Sequence, residues 1–434
     1  MATTYQNEAS QYLLIGGGPA GIAGARNLQK YGVPFEGVEA FSDFGGLWNI
    51  DNPRSTVYES AHLISSKRMT EFKEFPMKDS VADYPSHKEM SQYFKDFAKH
   101  FDLYAHYRFN TRIEKLEPID GGKSWKATFD NGESKLYKGV IIANGTLSEP
   151  NMPNFKGQFG GELIHSAQYK SAKVFDGKRV LIVGAGNSGC DIAVDAIYHS
   201  KKVDLSVRRG YHFIPKYIMG KPADSLGGTL KLPGFFKKKL DATILKIFTG
   251  DPVRFGFPAP DHKLYESHPI INSLILHFLG HGDIKIKADI DHFEGKTVHF
   301  KDGSKDDYDL ILCATGYKLH YPFIEKEFLN WKGACPELYL NIFHPTYNNL
   351  FVLGMIEATG IGWEGRYEQG ELIAKFLSQL QKNPTKVQAF ISKKKENNED
   401  LRGGMNYIKL DRMAYYVHKD TYRKKVRDSI ADLS

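Results

Sequence analysis

The sequence predicts an α/β protein with two similar, doubly wound, Rossmann-like units, and three observations carry that prediction. A buried-strand pattern runs into a glycine-punctuated turn twice, as LLIGGGPAG from Leu13 to Gly21 and as LIVGAGNSG from Leu181 to Gly189. Each turn has an echo: GVIIANG ends at Gly145, 129 residues after Gly16, and LILCATG ends at Gly316, 132 residues after Gly184. Both echoes read as the last strand of one doubly wound unit. With 434 residues, 41% of them hydrophobic and 25% charged, the chain has room for two or three domains, each with its own core.

In the first unit, QYLLIGGGPAGIAGARNLQKYG reads as a buried strand, a turn and a helix with Ile22, Ala23, Ala25 and Leu28 facing the sheet. Gly16 permits the tight turn, Gly18 lets the backbone approach a pyrophosphate, and Gly21 lets helix and strand pack closely. Pro19 and Ala20 open the helix, whose N-terminus faces the phosphates. A second strand, PFEGVEAF, carries Glu39 23 residues after Gly16, the distance expected of a ribose-binding carboxylate. The alternative is an unrelated loop with a surface acid.

The second unit repeats the plan with Gly184, Gly186, Asn187, Ser188 and Gly189, but the place of the acid is taken by Arg208 and Arg209, beginning 24 residues after Gly184. A carboxylate there would repel a 2′-phosphate and two guanidinium groups would hold it; the plainer reading is solvated charge at a strand end. The first unit is thus expected to hold an adenosine with free ribose hydroxyls and the second an NADP-type dinucleotide. FAD paired with NADPH explains two such sites best, since a flavin accepts a hydride and hands electrons on. Such chemistry asks little of side chains, in keeping with a sequence that offers no Ser-His-Asp constellation or metal cluster. His277 and His281 lie four apart on a predicted helix without a nearby carboxylate and read as surface or packing residues.

The net charge of +7 is concentrated at the C-terminal end, where 14 Lys and Arg face 8 Asp and Glu from Glu371 onward. Runs such as SKKKENNED and YRKKVRD alternate in sign and predict a solvated helical face, not a nucleic-acid groove. Cys190, Cys313 and Cys335 are far apart and form no CxxC pair, which excludes a disulfide framework and a dithiol redox centre. MATTYQNEASQY lacks the apolar core of a signal peptide, and no stretch approaches the about 18 apolar residues of a membrane span. A cytoplasmic, reducing setting and a small-molecule substrate are expected. The NGT at Asn144 reads as a chance match to a glycosylation site, and the C-terminal helical tail, with Met413, Tyr416 and Val417 close together, offers a surface for a homodimer.

FGGELIHSAQY places Phe159, Gly161, His165 and Tyr169 in step with FxGxxxHxxxY and resembles the identifying motif of the flavin-containing monooxygenases. FGGLWN from Phe44 to Asn49, ATGY from Ala314 to Tyr317 and NLFVLG from Asn349 to Gly354 are similar to that family's patterns too, and the resemblance spans Tyr12 to Leu377. It implies an NADPH domain inserted into a discontinuous FAD domain: residues 1–160 and 325–434 for FAD, 161–324 for NADPH, with a helical insertion over 211–282. In that insertion FFKKKLDATILKIF sets Phe236, Leu240, Ile244, Ile247 and Phe248 on one helical stripe. The implied chemistry is reduction of FAD by NADPH, addition of dioxygen at flavin C4a, and transfer of one oxygen atom from the C4a-hydroperoxyflavin to an amine or sulfide.

The resemblance also implies roles. Glu39 would bind the FAD ribose, Gly46, Leu47, Trp48 and Gly354 would border that cofactor, and Ala314, Thr315 and Gly316 would border NADP. A glycine-rich loop, ATGIGWEG, would feed a helix buried along Leu372, Ile373, Phe376 and Leu377, its N-terminus toward the flavin, with Glu364 an awkward negative neighbour unless it turns away. His165 and Tyr169 would set the junction between domains. One departure stands out: where the family segment begins with an active-site asparagine, this chain has Ile64, which leaves Ser65 and Ser66 as the polar groups at that place. The rival chemistries are Baeyer-Villiger oxidation of ketones, an NADPH oxidase or electron-transfer reductase, and a non-enzymatic NADPH sensor. Tyr169 at the end of the motif leans toward amines and sulfides.

Overall fold

A computed structural model describes residues 9–225 and 248–434. The first unit contributes β1 (Tyr12–Ile15), α1 (Pro19–Lys30), β2 (Phe35–Val38), α2 (His87–His100), β3 (Tyr107–Arg108) and β4 (Gly139–Ile142). There follow β5 (Glu162–His165), β6 (Arg179–Val183), α3 (Asn187–Ala196), β7 (Lys202–Ser206), α4 (Leu274–His281), β8 (Ile284–Lys287) and β9 (Leu310–Cys313). The chain ends with β10 (Leu350–Val352), α5 (Glu364–Lys382), α6 (Pro384–Glu396) and α7 (Lys419–Asp432).

These strands make two five-stranded parallel sheets, ordered β10-β4-β1-β2-β3 and β8-β7-β6-β9-β5. β1, β4 and β9 carry no charged residue and are buried at every position because both faces are covered, as a parallel sheet requires. Tyr12 and Leu14 pack with α1, α2 and α5, whereas Leu13 and Ile15 pack with Trp125 and Phe129 of an antiparallel layer over 113–137. The second sheet repeats this: Val180 and Ile182 meet α3 and α4, while Leu181 and Val183 meet Val298, Phe300 and Tyr308 of another antiparallel layer. Ile22, Ala23, Ala25 and Leu28 face inward as expected, and so do Leu372, Ile373, Phe376 and Leu377. Each such side chain contributes roughly 1.5–3 kcal/mol, alanine less.

The strands ending in ANG and ATG, β4 and β9, are not the outermost strands of their units. A further strand lies beyond each, and the two are exchanged. β5, which follows the first unit in the chain, edges the second sheet against β9; β10, which follows the second unit, edges the first sheet against β4. The motif from Phe159 to His165 is therefore the edge of the second sheet. The chain then returns fully to the first unit, where Gly370 lies within contact of Ala23 and Gly24, letting α5 cross α1 closely, and Asn27 donates to Tyr367 O at 3.3 Å.

Three expectations need correction. The described parts of 211–282 are mostly irregular: a hairpin pairing Tyr217–Ile218 with Lys221–Pro222, short 3-10 turns at Ala223–Ser225 and Pro252–Phe255, and the eight-residue α4. Pro215, Pro222, Pro252, Pro258, Pro260 and Pro269 explain this, since proline removes a helical donor. Of the apolar stripe, Phe236, Leu240, Ile244 and Ile247 lie outside the described residues, and Phe248 is exposed. Second, Met413, in the 3-10 turn Asp411–Tyr415, and Tyr416 and Val417 just past it are buried against their own chain, with the Val417 amide donating to Glu357 O at 2.9 Å; they offer no surface to a second subunit. Third, the basic tail is not all solvated. Lys393, Lys424 and Lys425 make surface ion pairs, but Lys394 is wholly buried and donates to His344 O at 2.6 Å and Tyr347 O at 2.8 Å. Burial, with Lys395 adding repulsion, pushes its ammonium down to about 8.

Candidate functional site

Both glycine turns have the same construction. Gly16 sits at φ +110° and Gly184 at φ +100°, and a Cβ on either would come within 2.5 or 2.7 Å of the carbonyl of the residue after β4 or β9, Ala143 and Ala314. On Gly21 or Gly189 a Cβ would lie 1.9 Å from the Gly16 or Gly184 oxygen, so the first turn of each helix passes under the strand end only without a side chain. The helices then start uncapped: Gly18 and Gly186 stand at the N-caps of α1 and α3 with no side chain accepting from the first amides. Pro19, which lacks the donor, fills the first position of α1. Each turn thus presents free N–H groups and a helix-dipole end to open space, the chemistry of a pyrophosphate seat.

Around the first turn, Gly46 at φ +55° brings its Cα so close to Gly18 that an added Cβ would lie 2.9 Å from it, and the Gly45 amide donates to Gly17 O at 3.1 Å. Two backbones with no side chains form this cleft, and the 3-10 turn Gly46–Trp48 carries Leu47 and Trp48 along its rim. Gly354, just past β10, packs against Ala20 at the start of α1. Glu39, just past β2, is buried; the Gly17 amide donates to its Oε2 at 2.5 Å and the Phe41 amide to Oε1 at 3.0 Å. Burial raises its carboxyl above the usual range, and the amides of Gly17, Phe41 and Ala40 oppose that.

Around the second turn the predicted residues separate. Ser188 is exposed, and Gly186 faces open space. The Asn187 side chain is spent on the fold, accepting from Ile271 N at 2.7 Å and donating to Pro269 O at 3.2 Å, so only its backbone is available to a ligand. Thr315 donates to Asn151 O at 2.7 Å, and the Asn151 amide donates to Gly316 O. The two arginines differ: Arg209 pairs with Asp261 at 3.1 Å, while Arg208 is exposed and makes no ion pair among the described residues.

Phe159 packs on Phe293 with ring centroids 5.3 Å apart, and Gly161 leaves room for the Asp309 carbonyl. His165 ends β5, buried, its Nδ1 accepting from Ala167 N at 3.1 Å and its ring edge-on to Tyr317; burial lowers its pKa, so the imidazole is neutral. Tyr169 stacks on Phe175, touches Tyr58 of the first unit and donates to Asp195 of α3 at 2.9 Å.

Between the units lies Ile64, half-buried, followed by Ser65, whose hydroxyl bonds that of Thr70 at 2.8 Å, and by Ser66, whose amide donates to Asp224 Oδ2 at 2.6 Å. The Trp363 amide donates to Thr70 O at 2.9 Å, and its indole lies edge-on to Trp48 at 6.2 Å and to Phe94 at 5.5 Å. Trp363 Nε1 is buried without a partner. Glu364 turns aside, accepting from the Lys73 amide at 3.0 Å, and burial raises its pKa. Asp224 and Trp363 went unnoticed in the sequence. Trp363 stands in the glycine-rich loop already singled out, which was a usable signal; Asp224 carries none. The His277 and His281 rings lie 4.0 Å apart, tilted at 57°, and His281 does have a carboxylate neighbour, Asp283 at 3.7 Å, just beyond the helix end. Among the described residues no group of three or more His, Cys, Asp or Glu is placed to hold a metal, and no helix is long and apolar enough to cross a membrane.

The model of the flavin-binding monooxygenase-like family matches residues 9–427. Human flavin-containing monooxygenase 5 is 31% identical over 80% of this chain and 69% of its own length. The NADP⁺-bound cyclohexanone monooxygenase of Rhodococcus sp. Phi1 superposes with a TM-score of 0.71 at 19% identity, over 97% of both chains. S-allyl-L-cysteine S-oxygenase of Allium sativum gives 0.67 at 18% identity, over 98% of this chain and 89% of that one. Two uncapped glycine turns of one construction, a carboxylate beside the first and a free arginine beside the second, agree with these matches: the chain belongs to the flavin-binding monooxygenase-like family, FAD- and NADPH-dependent oxidoreductases.

Proposed function

We propose that the chain moves one oxygen atom of dioxygen to a soft nucleophile, an amine nitrogen or a sulfide sulfur, at the expense of NADPH. The observation that carries this is the paired turns with Glu39 at one and unpaired Arg208 at the other. Gly16, Gly18, Pro19, Ala20 and Gly21 would hold the FAD pyrophosphate, Glu39 the ribose, and Gly46, Leu47, Trp48 and Gly354 the sides of the same cofactor. Gly184, Gly186, Ser188, Gly189 and the Asn187 backbone would hold the NADPH pyrophosphate, Arg208 the 2′-phosphate, and Ala314, Thr315 and Gly316 the opposite wall. The two sheets support domain limits near 160 and 325.

Bound FAD supplies a hydride acceptor that delivers electrons to dioxygen. The chain's own part is exclusion and orientation. Trp48, Trp363 and Phe94 form an aromatic wall that keeps water from the crevice. The α5 N-terminus, with Glu364 turned to the Lys73 amide, offers a positive dipole end to developing negative charge. The three free cysteines support a reducing, cytoplasmic setting. Isotopically labelled dioxygen, with a thioether, a tertiary amine and a cyclic ketone as competing substrates, tests the reading. Label in the sulfoxide or N-oxide is expected; label only in a lactone, or peroxide without labelled product, would overturn it.

A further inference from the structure

Ser66 and Asp224 come from opposite sides of the crevice, one from the first unit and the other from the segment after β7. Asp224 Oδ2 accepts from the Ser66 amide at 2.6 Å. The other carboxylate oxygen, Oδ1, and the Ser66 hydroxyl are both buried and both lack a partner, and Ser66 itself is 3% exposed. Leaving one buried polar atom unsatisfied costs about 1–3 kcal/mol, and two on one hydrogen-bonded residue pair are rare in a folded chain unless something else completes them.

Their surroundings are fixed. The Tyr84 hydroxyl donates to Lys216 O and Tyr217 donates to Asp83 at 3.2 Å, so the hairpin that leads to Asp224 is pinned to the strand-like run before α2. Lys216, just ahead of that hairpin, lies over the Tyr84 ring at 5.1 Å, and neither it nor Lys221 of the hairpin makes an ion pair with Asp224. From Ser66 the wall is continuous: Thr70 O receives the Trp363 amide, Trp363 meets Trp48, and Trp48 follows Gly46, which touches Gly18. The two orphaned oxygens thus lie on the wall that runs from the cleft assigned above to FAD.

We propose that Ser66 and Asp224 form a seat for an N–H donor, an inference that rests on the cofactor reading above. A carboxylate only accepts, so Oδ1 calls for a donor, and the unpartnered Ser66 hydroxyl on the residue bonded to that carboxylate has an oxygen that can accept as well. An anion is repelled, and one carboxylate with one hydroxyl is too few ligands for a hard cation. Two groups in this crevice offer such a donor: the carboxamide of the nicotinamide, and an ammonium on a substrate whose reacting sulfur or nitrogen lies elsewhere in the molecule.

The variants Asp224→Asn and Ser66→Ala separate these. The asparagine keeps an oxygen for the Ser66 amide but presents an NH₂ where an acceptor stood; Ser66→Ala leaves the carboxylate and removes its companion. Each is made in the FAD-loaded protein, checked for flavin content and melting temperature, and titrated by calorimetry. One arm compares NADP⁺ with 2′-phospho-ADP-ribose, which lacks the nicotinamide. The other compares methylthioethylamine with methylthioethanol in the presence of NADP⁺. A rise of about tenfold or more in the Kd ratio of either pair in Asp224→Asn, and a smaller rise in Ser66→Ala, is expected and names the donor. Both ratios within about twofold of wild type in both variants would overturn the seat. Binding is read apart from turnover, so failure of oxygen transfer in the wild type would sink the proposed activity while these titrations still judged Ser66 and Asp224.

Discussion

Arg208 and Arg209 are neighbours in sequence with unequal duties. Asp261 holds Arg209 at 3.1 Å, while Arg208 stands exposed with no ion pair among the described residues. A phosphate monoester arriving at this strand end meets Arg208 first and must compete with Asp261 for Arg209. Arg208→Ala is therefore expected to lower the NADPH-to-NADH ratio of kcat/KM by about 10- to 100-fold, and Arg209→Ala by less. Asp261→Asn frees Arg209 and is expected to restore part of the loss in an Arg208→Ala background. Steady-state flavin reduction with both nucleotides measures this, and equal losses in the two single variants would show that Asp261 does not bias them. The sequence singled out the pair, because an arginine in place of an acid is a local signal. It did not distinguish them, because Asp261 is far along the chain and only the fold brings it near.

At the scale of elements the same division recurs. The two turns were legible because strand, glycines and helix are contiguous, and the steric demand at Gly16 or Gly189 is met within a few residues or by one adjacent strand. The exchanged edge strands were not: β5 has four residues and β10 three, too short for any periodicity to assign them to a sheet. The described parts of 211–282 were read as helical, but the prolines among them break the helix pattern. The exchange predicts crossed effects. Gly161→Val drives a side chain into the Asp309 carbonyl, 2.6 Å from an added Cβ, and loosens the edge of the second sheet. Phe351→Ala empties a buried site in β10, at about 3–5 kcal/mol, and loosens the first. Gly161→Val should weaken NADP⁺ binding while the protein purifies with its flavin; Phe351→Ala should lose flavin first. Flavin absorbance and NADP⁺ titration read both, and a variant that lost the other cofactor first would contradict the exchanged assignment.

Across the whole molecule, two neutral histidines support the segments that close the first unit, one from the second unit and one from within. His268 Nδ1 meets the Tyr416 hydroxyl at 2.9 Å, and that hydroxyl meets Thr359 at 2.9 Å, tying the second unit to the C-terminal tail and to the loop before α5. His344 Nδ1 accepts the amides of Thr346 at 3.1 Å and Tyr347 at 3.0 Å, next to the carbonyls that hold Lys394. Burial, helped by Arg412 at His268 and by Lys394 at His344, pushes both imidazoles down to about 4. A pKa lowered on folding means that the unfolded chain takes up the proton first. Each histidine's contribution is thus complete above its ordinary value of 6.5 and is lost as pH falls toward about 4, by at most ~3 kcal/mol each. Asparagine at either place carries an acceptor near Nδ1 but does not titrate. Acidic side chains shared by all variants also respond to pH, so the diagnostic quantity is the melting temperature of wild type minus that of His268→Asn or His344→Asn. That difference is expected to be level above pH 7 and to shift against the wild type as pH drops from 6.5 to 4. A difference that stayed constant over that range would mean that neither imidazole is held neutral by its burial.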